Sequence, residues 1–200
     1  IEIDQIDISG LECVLPPDWN ELRARLSDLR FSPPTASAGT GIGIGLRHIQ
    51  GRGVRIRRGD STETLALCRF DVYDPLSDHT VVSFDAQTPF LGDTARTNGS
   101  LQIVSDAEEK KVSGTADIRA IDSTRLINNV AIPQGEISAR LNVVPSRLSA
   151  LHAEFTGEIS PSDPTAPYAN TLPATFSGNV WCVNGVWTFN DLRFVSPAGS

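Results

Sequence analysis

The stretch Ile137-Ser138-Ala139-Arg140-Leu141-Asn142-Val143, repeated in pattern by Leu151-His152-Ala153-Glu154-Phe155, decides the fold. Apolar and polar residues alternate one by one. In an extended chain that period puts Ile137, Ala139, Leu141 and Val143 on one side and Arg140 and Asn142 on the other. One dry face and one wet face is the antiparallel pattern. Upstream, Ala116, Ile118 and Ala120 oppose Asp117 and Arg119 in the same way. Leu101 and Ile103 open a strand before them, and Asp106 to Lys110 read as a polar turn.

Downstream, residues 160–174 form a proline-rich loop. Val180-Trp181-Cys182-Val183 and Val186-Trp187-Thr188-Phe189 then flank Asn184-Gly185, the preferred pair for a type I′ hairpin turn. That register sets Cys182 opposite Trp187. Trp181, Trp187 and Phe189 are expected to anchor the core or the edge of a sheet.

Toward the N-terminus, residues 87–99 read as a loop. Thr62 to Tyr73 and His79 to Ala86 read as a pair of strands around the turn Asp74-Pro75-Leu76-Ser77-Asp78. Ala66, Cys68, Phe70 and Val72 share one side. Gly41 to Leu46 alternates with glycine on one face, and Val54 and Ile56 continue the pattern after a turn at Gly51-Arg52-Gly53. Asp18 is placed to cap a helix, with Glu21 completing a capping box and Leu22, Leu26 and Leu29 forming its apolar stripe. This helix should end near Phe31. Ile1, Ile3, Ile6 and Ile8 predict a strand, bulged where the alternation breaks between Ile3 and Ile6.

These elements predict an all-β domain spanning residues 1–200: an antiparallel β-sandwich or flattened β-barrel with one N-terminal α-helix. Residues 1–31 hold the first strand and the helix, and 41–200 the β core. A chain of 200 residues with 40% hydrophobic residues can bury a core without metal or disulfide staples. No apolar run is long enough to span a bilayer. Cys13, Cys68 and Cys182 include no CxxC pair, which argues against thiolate metal sites and for small core hydrophobes. The lack of methionine favours removal of a leader, and with it an extracellular, periplasmic or cell-surface location.

The net charge of −7 argues against nucleic acid as a partner. Against that background Arg47, His48, Arg52, Arg55, Arg57 and Arg58 form a basic stretch with no acid among them. Guanidinium forks at this density suit sulfate, phosphate or carboxylate groups, so an acidic polymer is a candidate partner. Acids elsewhere in the fold are the competing explanation. Asp71, Asp74 and Asp78, with His79, gather around one turn, where calcium is the candidate ion. No other cofactor is expected.

The catalytic motifs are incomplete. Gly39 to Gly45 has leucine at 46 where a dinucleotide loop needs its third glycine, and a β pattern follows where a helix should. Gly59-Asp60-Ser61 lacks a histidine at the spacing a serine hydrolase needs. His152-Ala153-Glu154 lacks the paired cysteines of a zinc deaminase. Asn98-Gly99-Ser100 fits a glycosylation acceptor in a loop. The expected function is therefore a non-catalytic exported protein that binds a protein partner or self-assembles. An apolar-ligand carrier or a barrel enzyme such as a cyclase is the first alternative, and polyanion binding the second.

Overall fold

The alternating segments do become strands, and from the third strand onward each pairs with the next along the chain. A computed structural model describes residues 1–16, 45–59, 63–105, 110–126, 135–147, 150–163, 165, 173–183 and 186–197. The strands are β1 (Glu2–Ser9), β2 (Glu12–Leu15), β3 (Gly45–Arg58), β4 (Thr64–Tyr73), β5 (His79–Gln87) and β6 (Arg96–Ser105). They continue as β7 (Lys110–Asp122), β8 (Gly135–Arg147), β9 (Ala150–Pro161), β10 (Ala174–Val183) and β11 (Val186–Val195), with a single helical turn, α1 (Ser123–Leu126), after β7.

The described residues are nearly all β, and their eleven strands form one open sheet in the order β1-β3-β4-β5-β6-β7-β8-β9-β10-β11, with β2 also on β3. From β3 onward every pairing is antiparallel, a meander that links neighbours at low loop-closure cost. β1 and β2 run parallel to β3 along the same edge. Among the described residues the ladder neither closes into a barrel nor breaks into two hydrogen-bonded sheets. The expected N-terminal helix and the glycine run 39–44 lie outside the described residues. Among those described, no helix is long and apolar enough to cross a membrane.

Several local expectations are corrected. Gly51-Arg52-Gly53 is not a turn: β3 passes straight through it with a bulge, Gly53 taking φ +62°. β1 needs no bulge, because its register with β3 is unbroken and Ile3 and Ile6 lie on opposite faces. An edge strand exposed on both sides has no face that must be all apolar. β6 begins at Arg96, so Asn98-Gly99-Ser100 lies in a strand rather than a loop. Ala120 is lifted out of the alternation by its φ of 56°, and Ile121 takes the apolar position opposite Ile137.

Burial is sparse. Val54, Ala66, Ala86, Ala95, Val112, Ile121, Ala153, Ala174 and Val180 are the buried hydrophobics among the described residues, and most are small. One rim is better packed. Arg125 donates to the Pro89 carbonyl (2.7 Å) and to Asp93 (2.8 Å), tying the β5–β6 connection to α1. The buried Ser123 hydroxyl accepts from the Gly135 amide at 2.9 Å.

Candidate functional site

The registers carry one face across the whole sheet. Val54, Cys68, Ala86, Thr97, Ile118, Ala139, Gly157 and Phe176 are linked by successive cross-strand pairs. Alternation adds Phe70, Val72, Val82, Phe84, Leu101, Ile103, Ala116, Leu141, Val143, Leu151, Phe155 and Ile159. From Ala66 in β4 to Cys182 in β10, none of these positions is charged. The apolar stripes predicted strand by strand are thus fused into one apolar surface, and most of its larger side chains are only half buried.

Glycine shapes that surface. Gly51 faces Phe70, Gly99 faces Phe84, Gly157 faces Phe176 and Gly178 faces Phe155, each a directly opposed antiparallel pair. In every case an added Cβ would come within 3.0 Å of the opposing ring. The rings therefore lie down over the glycines instead of standing off the sheet. At Gly99, Gly135 and Gly157 the same Cβ would also meet a carbonyl oxygen of the adjacent strand. All three are on the apolar face, where the neighbouring strand leaves no room for a side chain at these positions. Phe155 also meets Phe176 at 6.1 Å and Phe189 edge-on at 6.3 Å between ring centroids.

The opposite face is polar. Arg140 lies 3.9 Å from Asp117, and His152 stacks flat on Trp181 at 3.8 Å. The basic stretch sits along β3, where Arg47, His48 and Arg57 have acidic partners in the same chain. Arg47 pairs with Glu2 (3.3 Å) and approaches Asp4 (4.0 Å). Arg57 pairs with Glu12, and Arg55 is the cross-strand partner of Glu12. Arg52 donates twice to Gln50, and Arg58 ends the strand opposite Leu15. His48 bridges Gln5 (3.2 Å) and Asp71 (3.0 Å) while stacking on Tyr73. β1 and β2 supply Glu2, Asp4 and Glu12, and β4 supplies Asp71, pairings that spacing along the chain could not reveal.

The three aspartates do not converge. Asp71 is held by His48 and by Gln50 (2.7 Å) on the polar face of β4. Burial pushes its carboxyl up, but hydrogen bonds from Gln50 and His48 and the charge of Arg69 outweigh this and keep it below the ordinary carboxylate value. Asp74 takes φ 52° in the β4–β5 turn, and the Asp78 carbonyl accepts from the Ser105 amide. Among the described residues no three His, Cys, Asp or Glu side chains are grouped to hold a metal.

The three cysteines are free and half buried. Burial, with Cys13 and Asp85 nearby, raises the Cys68 thiol above its usual value. Of the aromatics expected at the core or the edge of a sheet, Trp187 and Phe189 lie at the edge, 51% and 56% exposed on β11, the outermost strand. Cys182 does face Trp187, as the hairpin register predicts, while Asn184-Gly185 lies outside the described residues. No family model, characterised protein or solved structure matches this chain, so its function rests on this geometry.

Proposed function

We propose that the chain is a non-catalytic binding module that takes an apolar partner onto the apolar face of its sheet. One observation carries the reading: a continuous, uncharged face crosses the sheet from β4 to β10 and is left half open to solvent. Monomers seldom leave apolar patches of more than a few hundred Å² uncovered without a binding role. The phenylalanine rings laid over glycine keep that face low in relief, which favours a slender, flexible apolar chain over a bulky polar ligand. The polar groups of the face are few, hydroxyls such as Thr80 and Thr97, and it carries no charge to fix a polar substrate. The arginines of β3 support polyanion binding less, because Arg47 and Arg57 already have acidic partners.

The test is titration with a fluorescent long-chain fatty acid. Leu141→Glu puts a carboxylate in the middle of the face, and Asn142→Glu puts one on the polar side of the same strand. Placing an unpaired charge in an apolar site costs several kcal/mol, so Leu141→Glu should weaken binding by about tenfold or more and Asn142→Glu by less than about twofold. Circular dichroism of both variants guards against loss of the sheet. Equal loss in the two variants, or no binding by the wild type, overturns the proposal.

A further inference from the structure

The polar face carries a row of its own. Asn98, Asp117, Arg140, Thr156, Ser177 and Arg193 are linked by successive cross-strand pairs from β6 to β11. Beside this row, Arg96 and Arg119 are directly opposed on β6 and β7. Like charges directly opposed destabilise a sheet unless something answers them. Among the described residues no acid pairs with Arg96, Arg119 or Arg193. The Arg140 guanidinium is 3.9 Å from Asp117, beyond hydrogen-bond reach. Two open hollows, of about 550 and 720 Å³, lie along this face and share Asp117 and Arg119 in their walls. Arg140, Arg193 and Glu158 line the first, and Arg96 and Asp85 the second. Together they form one trough across the strands. Five strand spacings separate Arg96 from Arg193, roughly 24 Å at about 4.8 Å per spacing.

We propose that this trough binds an acidic polysaccharide laid across the strands, its carboxylates held by the guanidinium forks of Arg96, Arg119, Arg140 and Arg193. Two features select a sugar acid over other anions. The first is that acids alternate with the arginines. Asp85, Asp117 and Glu158 repel a ligand charged at every contact, but they accept hydrogen bonds from the hydroxyls that a sugar acid carries beside its carboxylate. The second is what lies between the charges. Thr156 and Ser177 separate Arg140 from Arg193, and the row holds no aromatic ring on which a base could stack. A net charge of −7 also disfavours nucleic acid. The inference is independent of the apolar-ligand reading, because the two sites lie on opposite faces.

The experiment is calorimetric titration of the purified chain with a hexamer of galacturonic acid. The same hexamer with its carboxyls methyl-esterified and an oligothymidylate of equal charge are titrated beside it. Wild type should bind the free acid, with an affinity that falls as salt is added, and should bind the ester and the oligothymidylate at least tenfold more weakly. Replacing both Arg96 and Arg119 by Gln should weaken binding by about tenfold or more. Replacing Arg47 and Arg55 on β3 by Gln removes the same charge away from the trough and should change binding by less than about twofold. Without ligand, the Arg96→Gln, Arg119→Gln protein should melt at or above the wild-type temperature, since it loses a like-charge pair. No binding by wild type, or equal binding of the ester, overturns the proposal. So does tighter binding of the oligothymidylate, which would assign the face to nucleic acid. Equal losses in the two double variants would reduce the effect to net charge, and a lower melting temperature of the Arg96→Gln, Arg119→Gln protein would give those arginines a structural role; either overturns it as well.

Discussion

Gly51→Ala is the sharpest test of how the apolar face is built. In an ordinary strand interior, alanine is favoured over glycine by about 0.5–1 kcal/mol, because glycine loses more conformational freedom on folding. At position 51 the sign should reverse. Gly51 is buried in β3 opposite Phe70, and the three atoms nearest an added Cβ all belong to the Phe70 ring, each inside 3.0 Å. No backbone atom is among them, so the cost is that of displacing one ring. Overpacking of this kind costs about 1–3 kcal/mol. In a chain of this size each kcal/mol lowers Tm by about 2–4 °C, so the variant should melt roughly 2–12 °C below wild type. Phe70→Leu removes the colliding ring. Combined with Gly51→Ala it should lose less stability than the sum of the single losses, with a coupling well above the roughly 0.3–0.5 kcal/mol scatter of independent sites. Thermal and urea melts of the four proteins measure that coupling. Additive losses, or a Gly51→Ala variant as stable as wild type, would refute the reasoning that the ring lies over the glycine.

Three further outcomes follow from the packing and the charges. The Asp71 carboxyl titrates below its unfolded value, so its contribution is present above about pH 4 and is lost as pH falls through the lower, folded value. Asp71→Asn should therefore lower the urea midpoint at pH 7 and flatten its decline between about pH 4 and pH 2. Arg125→Ala removes the contacts to Pro89 and Asp93, and amide exchange should quicken in residues 88–95 while β8 and β9 keep their protection. The raised Cys68 thiol should alkylate slowly at neutral pH in the folded chain and catch up as pH rises, which mass spectrometry of labelled peptides can follow.

Much of the fold is legible along the chain. Ile137 to Val143 and Leu151 to Phe155 announce strands because the side-chain period of an extended backbone is two, and that is a local property. The hairpin register at Cys182 and Trp187 is legible for the same reason, since a two-residue connection fixes which residues face each other. The incompleteness of each catalytic motif is also local, because it depends on spacings within the chain. Less legible are the bulges at Gly53, at Ala120 and at Asp191, where the register of β11 on β10 slips between Asn190 and Arg193; in each, one backbone angle moves the following residues to the other face without changing composition.

What the sequence by itself determined is strand content, order and the dry side of each strand. Tertiary structure alone decided what those dry sides add up to. Alternation says that Phe70 and Leu141 lie on a dry side, but not that registers across β4 to β8 align them on one surface, or that the ladder stays open at β1 and β11. The same holds for the arginines of β3. Arg47 and Glu2, like Arg57 and Glu12, are separated by 45 positions, and only the parallel return of the chain to the edge of β3 makes them neighbours. Period is set by the geometry of one strand. Closure, edge and charge pairing are set by which strands meet, and that depends on contacts far apart in the chain.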